Sequence, residues 1–240
     1  MSVKLSPRLM TAAKYVRGGM LADVGTDHAY LPIFLCENGY LRARPISAVA
    51  SDINEGPVER AIIHIRASHL SDRIATIRTD GLCGLDKYSP EDIIIFGMGG
   101  ELIAEILGSA EWIKRDGMRL ILQPMTHAEK TCEALKKLGF AVTGNAYSQE
   151  GDRLYRTVCA DYLPQTASEQ SFNSAQLLLG DGEGLSNDQL ELYVKFAQKH
   201  LRTTLSCRDA KRGAGADTSV EDKLILEIEQ ILSKGEKHSV

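Results

Sequence analysis

The sequence predicts an α/β fold: a seven-stranded mixed sheet, mostly parallel and closed at one edge by an antiparallel hairpin, followed by an α-helical coiled-coil-like hairpin. Three observations lead there. Short apolar runs alternate with helical patterns as far as Gly139, two β-like runs then follow directly on each other around Gly151, and beyond Asn187 apolar residues recur at spacings of three and four.

The elements follow in order. Leu5, Leu9, Ala12, Ala13 and Val16 form a helical stripe over residues 5–17, and Ser6-Pro7 is a good helix start. A strand at 20–24 runs through Gly25 into a helix at 28–38, which stops at Gly39. A second strand, 46–51, ends at Asp52, and a helix at about 58–68 buries Val58, Ala61, Ile62 and Ile65. A third strand, 74–79, ends at Asp80-Gly81. A fourth, 93–96, is wholly apolar and ends at Gly97-Met98-Gly99-Gly100, with a helix at 101–107. A fifth, 119–122, ends at Gln123-Pro124 before a helix at 128–138. The runs at 140–147 and 154–161, joined by Ser-Gln-Glu-Gly-Asp, read as the hairpin. Residues 163–186 are polar and glycine-rich, a connector between a domain at 1–162 and a helical pair at 187–240. The second helix of that pair carries Val220, Leu224, Ile228, Ile231 and Leu232, with Thr218-x-x-Glu221 and Ser219-x-x-Asp222 as capping-box starts.

With 43% hydrophobic and 25% charged residues, the chain has the composition of a soluble globular protein. No apolar run approaches the ~20 residues that span a bilayer, and the first residues lack a signal-peptide core, so neither membrane attachment nor export is expected. The five cysteines are scattered and never form C-x-x-C, which argues against a disulfide framework or zinc site and fits the cytoplasm. The net charge of −4 conceals two basic stretches. Lys4, Arg8, Lys14 and Arg17 precede the first acidic residue. Lys195, Lys199, Arg202, Arg208, Lys211 and Arg212 are opposed within their own window only by Asp209. Each stretch is either a local phosphate-binding surface or a solvated helix face.

The chemistry gathers at the strand ends. A glycine between strand and helix turns the backbone sharply and aims the helix's free N–H groups at the turn. Asp52, with Ile53 and Asn54 after it, stands where a carboxylate accepts ribose hydroxyls, in NAD and S-adenosylmethionine sites alike. Asp80 suits an exocyclic amine such as that of adenine. Asp23 and Asp27 flank Gly25 and Thr26, and carboxylates there would repel a pyrophosphate but attract a cationic amino group. Taken singly, each Asp reads equally well as a helix cap or turn residue. Gly97, Met98, Gly99 and Gly100 form either a loose turn or a place cleared of side chains for a second molecule.

Leu5-Ser-x-Arg8-Leu9, Ala22-Asp-x-Gly-Thr-Asp-His-Ala-Tyr-Leu-Pro32, Asp80-Gly-Leu, Gly97-Met-Gly-Gly-x-Leu-Ile103 and Leu120-Ile-Leu-Gln-Pro124 resemble the bacterial tRNA (adenine-22-N1)-methyltransferases, the TrmK family, over essentially the whole chain. The resemblance implies a class I Rossmann-like methyltransferase, S-adenosyl-L-methionine as cofactor and tRNA as partner, with N1 of an adenine in the D-arm region as acceptor; with composition and cysteine spacing, the expectation is no metal, no membrane and a monomer. Asp23, Gly25, Thr26, Asp52, Ile53, Asn54, Asp80, Gly81, Gly97 and Met98 would hold the cofactor. Asp27 is the first catalytic candidate, with His28 and Tyr30 to orient or stack on the base. Lys4, Arg8, Gly99, Gly100, Gln123, Pro124, Lys199, Arg202 and Arg208 would meet the tRNA. Glu150 and Tyr155 resemble the family's usual E-x-G-x-x-Y hairpin ending, read with one extra residue, whereas Met125 stands where the family usually has Asn. A small-molecule methyltransferase and a non-catalytic RNA-binding protein are the competing readings, and an NAD oxidoreductase is disfavoured by the acidic turn.

Overall fold

The computed structural model describes residues 3–236. β1 (Leu21–Val24), β2 (Ala48–Asp52), β3 (Ile74–Arg78), β4 (Asp92–Met98), β5 (Arg119–Pro124), β6 (Phe140–Glu150) and β7 (Arg153–Tyr162) form one sheet in the order β3-β2-β1-β4-β5-β7-β6. The first five strands are parallel, and β7 runs antiparallel between β5 and β6. The strand order switches direction between β1 and β4, so a crevice opens there at the carboxyl ends, where such sheets hold ligands.

Side chains alternate across the sheet and divide the core in two. Leu21, Ala48, Ala50 and Ile94 face α2 (Tyr30–Glu37) and α3 (Glu55–Ala67), meeting Leu31, Ala61 and Ile65. Ala22, Val49, Ile93 and Ile95 face α4 (Gly100–Gly108) and α5 (Ala128–Leu138), meeting Ile103, Leu107 and Leu135. α1 (Pro7–Tyr15) begins as Ser6-Pro7 predicts.

Several boundaries differ from expectation for physical reasons. α2 starts at Tyr30 rather than residue 28 because Ala29 takes a left-handed conformation, φ 54°. α3 starts at Glu55, since Pro57 lies in the first turn, where backbone N–H groups have no helical partner to lose. Gly97 and Met98 belong to β4 rather than to a following loop. β6 and β7 are longer than predicted because only Gly151 and Asp152 separate them.

The stretch read as a connector holds α6 (Pro164–Glu169) and α7 (Ser174–Leu179). α7 packs with α8 (Asn187–Gly213) and α9 (Ser219–Glu236) in a third core of Tyr147, Leu179, Tyr193, Phe196 and Ile228. Val220, expected in the seam, is 71% exposed, and Ile225 is buried instead. Neither capping box forms. Asp217 accepts from the Ser219 backbone and hydroxyl, Thr218 donates to Asp222, and Glu221 reaches back to Lys211.

The basic stretches also look different in three dimensions. Arg17 is not a free cation, because its guanidinium clamps the buried Asp92 at the amino end of β4, 2.7 and 2.9 Å from one carboxylate oxygen. Arg208, Lys211 and Arg212 face Asp222, Glu221 and Asp222 across the α8–α9 hairpin. Arg208 also bonds its neighbour Asp209 at 2.8 Å, so its charge is shared between two carboxylates. Most of the opposition came from the next helix, through Glu221 and Asp222, beyond the local window that holds Asp209.

Candidate active site

Register sets the carboxyl ends of four strands level. Val24 lies beside Ser51 on one side and Ile95 on the other, and Asp52 lies beside Arg78. The turn after β1 is fixed by two backbone bonds, from the N–H groups of Gly25 and Thr26 to the Ser51 carbonyl, at 2.8 and 2.9 Å. Gly25 has φ +78°, and a Cβ there would sit 2.3 Å from the Met98 methyl. The positive φ is what requires glycine, since the Met98 methyl is the tip of a side chain that can turn away.

Asp23 is 9% exposed and has no basic partner among the described residues. Burial pushes its carboxyl up to about 6, and the nearby Asp52 adds to the effect. The Thr26 hydroxyl offsets part of it without meeting hydrogen-bond geometry. That hydroxyl is itself buried and unpartnered. Asp52 accepts from the Asn54 backbone and side chain through Oδ1, at 2.8 and 3.2 Å. Asn54 is thereby used to orient Asp52. Ile53 is 54% exposed beside it. Asp80 is exposed after β3, and Gly81 lies against Ile106. A buried carboxylate lacking a cation, a second carboxylate oriented through one oxygen and an orphaned hydroxyl fit a ligand with an ammonium group and a ribose.

Asp27, His28 and Tyr30 come together as expected, but in company the sequence did not announce. Arg60 of α3 binds Asp27 Oδ1, with its Nε at 3.1 Å, and His28 Nε2 lies 3.2 Å from Oδ2. The His28 and Tyr30 rings stack, 4.9 Å apart and within 9° of parallel. His64 extends that stack, 5.1 Å from Tyr30, with its Nδ1 3.1 Å from the His28 carbonyl. His28 Nδ1 is buried and unpartnered among the described residues. Arg60 and His64 stand four apart on α3, a spacing that puts both on the face turned to the Asp27 turn.

The residues assigned to tRNA separate into two groups. Gln123 is fully buried, accepting from Arg8 Nη1 and Gly97 N, each at 3.2 Å, and donating to Met125 Sδ. These bonds tie β5 to Gly97 of β4 and to α1. The Arg8 guanidinium lies 5.5 Å from the Tyr155 ring centre, and its backbone N–H donates to Glu150 at 3.0 Å. Gly100 lacks a side chain because the His127 carbonyl would stand 2.0 Å from any Cβ, so packing rather than substrate approach requires it. Gly99 precedes α4 and faces Thr126, and Pro124 is buried beneath a neighbouring cavity. Lys4, Lys199 and Arg202 are exposed.

A family model described as a methyltransferase domain matches residues 5–158. The Bacillus subtilis tRNA (adenine(22)-N(1))-methyltransferase is 32% identical over 228 residues, 94% of this chain and 93% of that protein. The chain belongs to the tRNA (adenine(22)-N(1))-methyltransferase family. The crystal structure of the B. subtilis m1A22 tRNA methyltransferase TrmK aligns with a TM-score of 0.77 at 30% identity, covering 98% of this chain and 99% of that one. A Streptococcus pneumoniae protein solved with S-adenosyl-L-methionine aligns at 26% identity and a TM-score of 0.79, covering 95% of this chain and 100% of that one. The TrmK likeness therefore includes the helical pair as well as the sheet. Among the described residues no helix is long and apolar enough to cross a membrane.

Proposed function

We propose that this protein transfers a methyl group from S-adenosyl-L-methionine to N1 of adenine 22 in tRNA. The observation that carries the reading is the buried Asp23, without a basic partner among the described residues, beside the Gly25 turn, with Asp52 and Asp80 ranged along the same edge. Asp23 would hold the cofactor's ammonium, Asp52 the ribose hydroxyls and Asp80 the adenine amine, with Gly25, Thr26, Ile53, Asn54, Gly81, Gly97 and Met98 around them. When bound, the cofactor supplies an electrophilic sulfonium methyl.

Adenine N1 brings its own lone pair, so no base need remove a proton before attack. The chain's contribution is orientation, and stabilisation of the positive charge that develops on the base. Asp27 supplies the carboxylate for that charge, and Arg60 with His28 fixes its direction. The His28–Tyr30–His64 stack offers a flat surface for the target base. N1 is hidden in Watson–Crick pairing, so the adenine must be unpaired or flipped out to reach that surface. Lys4, Lys199 and Arg202 would draw in phosphates and make affinity fall steeply with salt. We divide the labour between a methyltransferase domain at 1–162 and a tRNA-gripping helical pair at 187–240, joined through 163–186. The protein would act in the cytoplasm as a monomer.

Incubation with unmodified tRNA and labelled methyl donor, followed by mass-spectrometric nucleoside mapping, tests the reading. One 1-methyladenosine at position 22 is expected; absence of label from tRNA overturns it.

A further inference from the structure

A cavity of about 330 Å³ lies where the turn between β5 and α5, the β6–β7 hairpin and α8 meet. Pro124, Met125 and Thr126 form one side, Tyr155 and Arg156 of β7 a second, and Phe196, Lys199 and His200 of α8 a third. Its volume is at the small end of ligand pockets, which start at roughly 300 Å³, and suits one nucleotide.

Its lining is basic, with Glu129 behind it, paired to the lining His127 at 3.1 Å. Arg153, Arg156 and Lys199 line it, and no lining residue is a carboxylate. Arg156 is 3% exposed and bonds neutral acceptors, the Asn145 side chain at 2.9 Å and the Leu177 carbonyl at 2.6 Å. No described carboxylate pairs with Arg153, Arg156 or Lys199, so a guanidinium is buried here with its charge unbalanced. His200 packs against Phe196, ring centres 4.6 Å apart. Burial first and then the Lys199 charge pull it down to about 4, with Glu129 opposing and Arg156 adding a smaller push.

The cavity also abuts the reacting edge. Gly100 N donates to the Thr126 carbonyl at 2.7 Å. Tyr155 carries Arg8, which through Gln123 reaches the Gly97 N–H. Cationic groups interleaved with aromatic rings form the usual cradle for a single strand.

We propose that this cavity takes one nucleotide of the substrate RNA close to the methylated adenine, its base among Tyr155, Phe196 and Met125 and its phosphate on Lys199 and Arg153. The inference rests on the proposed tRNA activity and makes α8 a wall of the substrate cleft as well as a distant grip. It also gives Met125 a place: an apolar rim to the nucleotide pocket.

Two measurements on the full chain test it. tRNA transcripts containing 4-thiouridine are crosslinked to the protein, and crosslinked peptides are mapped. Separately, KM for tRNA is compared between wild type, the Arg153→Ala/Lys199→Ala double variant and a Lys130→Ala control. Crosslinks within 153–156 or 196–200, with at least a tenfold rise in KM for the double variant alone, are expected. Crosslinks confined to other segments, with KM within twofold of wild type, overturn the cavity proposal while leaving the activity standing. A wild-type protein that neither binds nor methylates tRNA removes the underlying activity instead.

Discussion

At the scale of single residues the site depends on Asp23 being charged while buried. Its carboxyl is raised from 3.8 to about 6, so between those values the folded protein binds the proton more tightly than the unfolded chain. Stability from this group therefore falls as pH rises through that window and stays lower at neutral pH. Asp23→Asn is expected to raise unliganded stability at pH 7 by about 1–2 kcal/mol in urea unfolding, while weakening S-adenosylhomocysteine at least tenfold. A variant no more stable than wild type would mean the carboxylate is already balanced by a cation. Asp27 makes the opposite demand, because Arg60 and His28 already hold it. Asp27→Ala should abolish methyl transfer and spare cofactor affinity. Arg60→Ala should slow transfer less, and the double variant should match Asp27→Ala, since the two act as one unit. Additive losses would separate them. The acidic residues and their strand-end positions were legible in the sequence because a motif fixes them along the chain. Arg60 and His64 were not, since they meet the motif only when α3 packs beside it.

At the scale of elements, β6 is an edge strand whose outward backbone groups need partners. Gln170 supplies them at Val142, accepting at 2.9 Å and donating at 2.8 Å, and Gln189 does the same at Tyr147, at 2.6 and 3.0 Å. These strand positions are five apart, which pleating alone would turn to opposite sides. The irregularity between Val142 and Gly144 inserts one residue and restores the phase. The two glutamines thus tie α8 and the segment before α7 to the sheet. Each Gln→Ala change is expected to cost about 1–2 kcal/mol, with faster hydrogen exchange at the Val142 or Tyr147 amide it served. Unchanged exchange at those amides would show that water replaces the side chain at no loss. The strands themselves were legible from alternation. The side-chain bonds that close the edge were not, because a polar, glycine-rich stretch reads as linker until its few apolar residues find a core.

At the scale of the whole molecule, the proposed activity divides one substrate between two parts of the fold. In that reading the acidic crevice of the sheet takes the cationic cofactor and Lys199 and Arg202 of the helical pair take phosphates, while Asp222 and Glu221 pair with Arg208, Arg212 and Lys211 at the far end. The parallel sheet, its antiparallel ending and the helical hairpin were all readable from periodicity. The charge map was not, because opposition between helices depends on their register. All of the function rests on the acidic edge receiving the methyl donor, and isothermal titration calorimetry with S-adenosylhomocysteine tests that most directly. Saturable one-to-one binding, weakened at least tenfold by Asp52→Ala and absent with NAD, is the expected result. No heat with S-adenosylhomocysteine, or binding of NAD in its place, would contradict it.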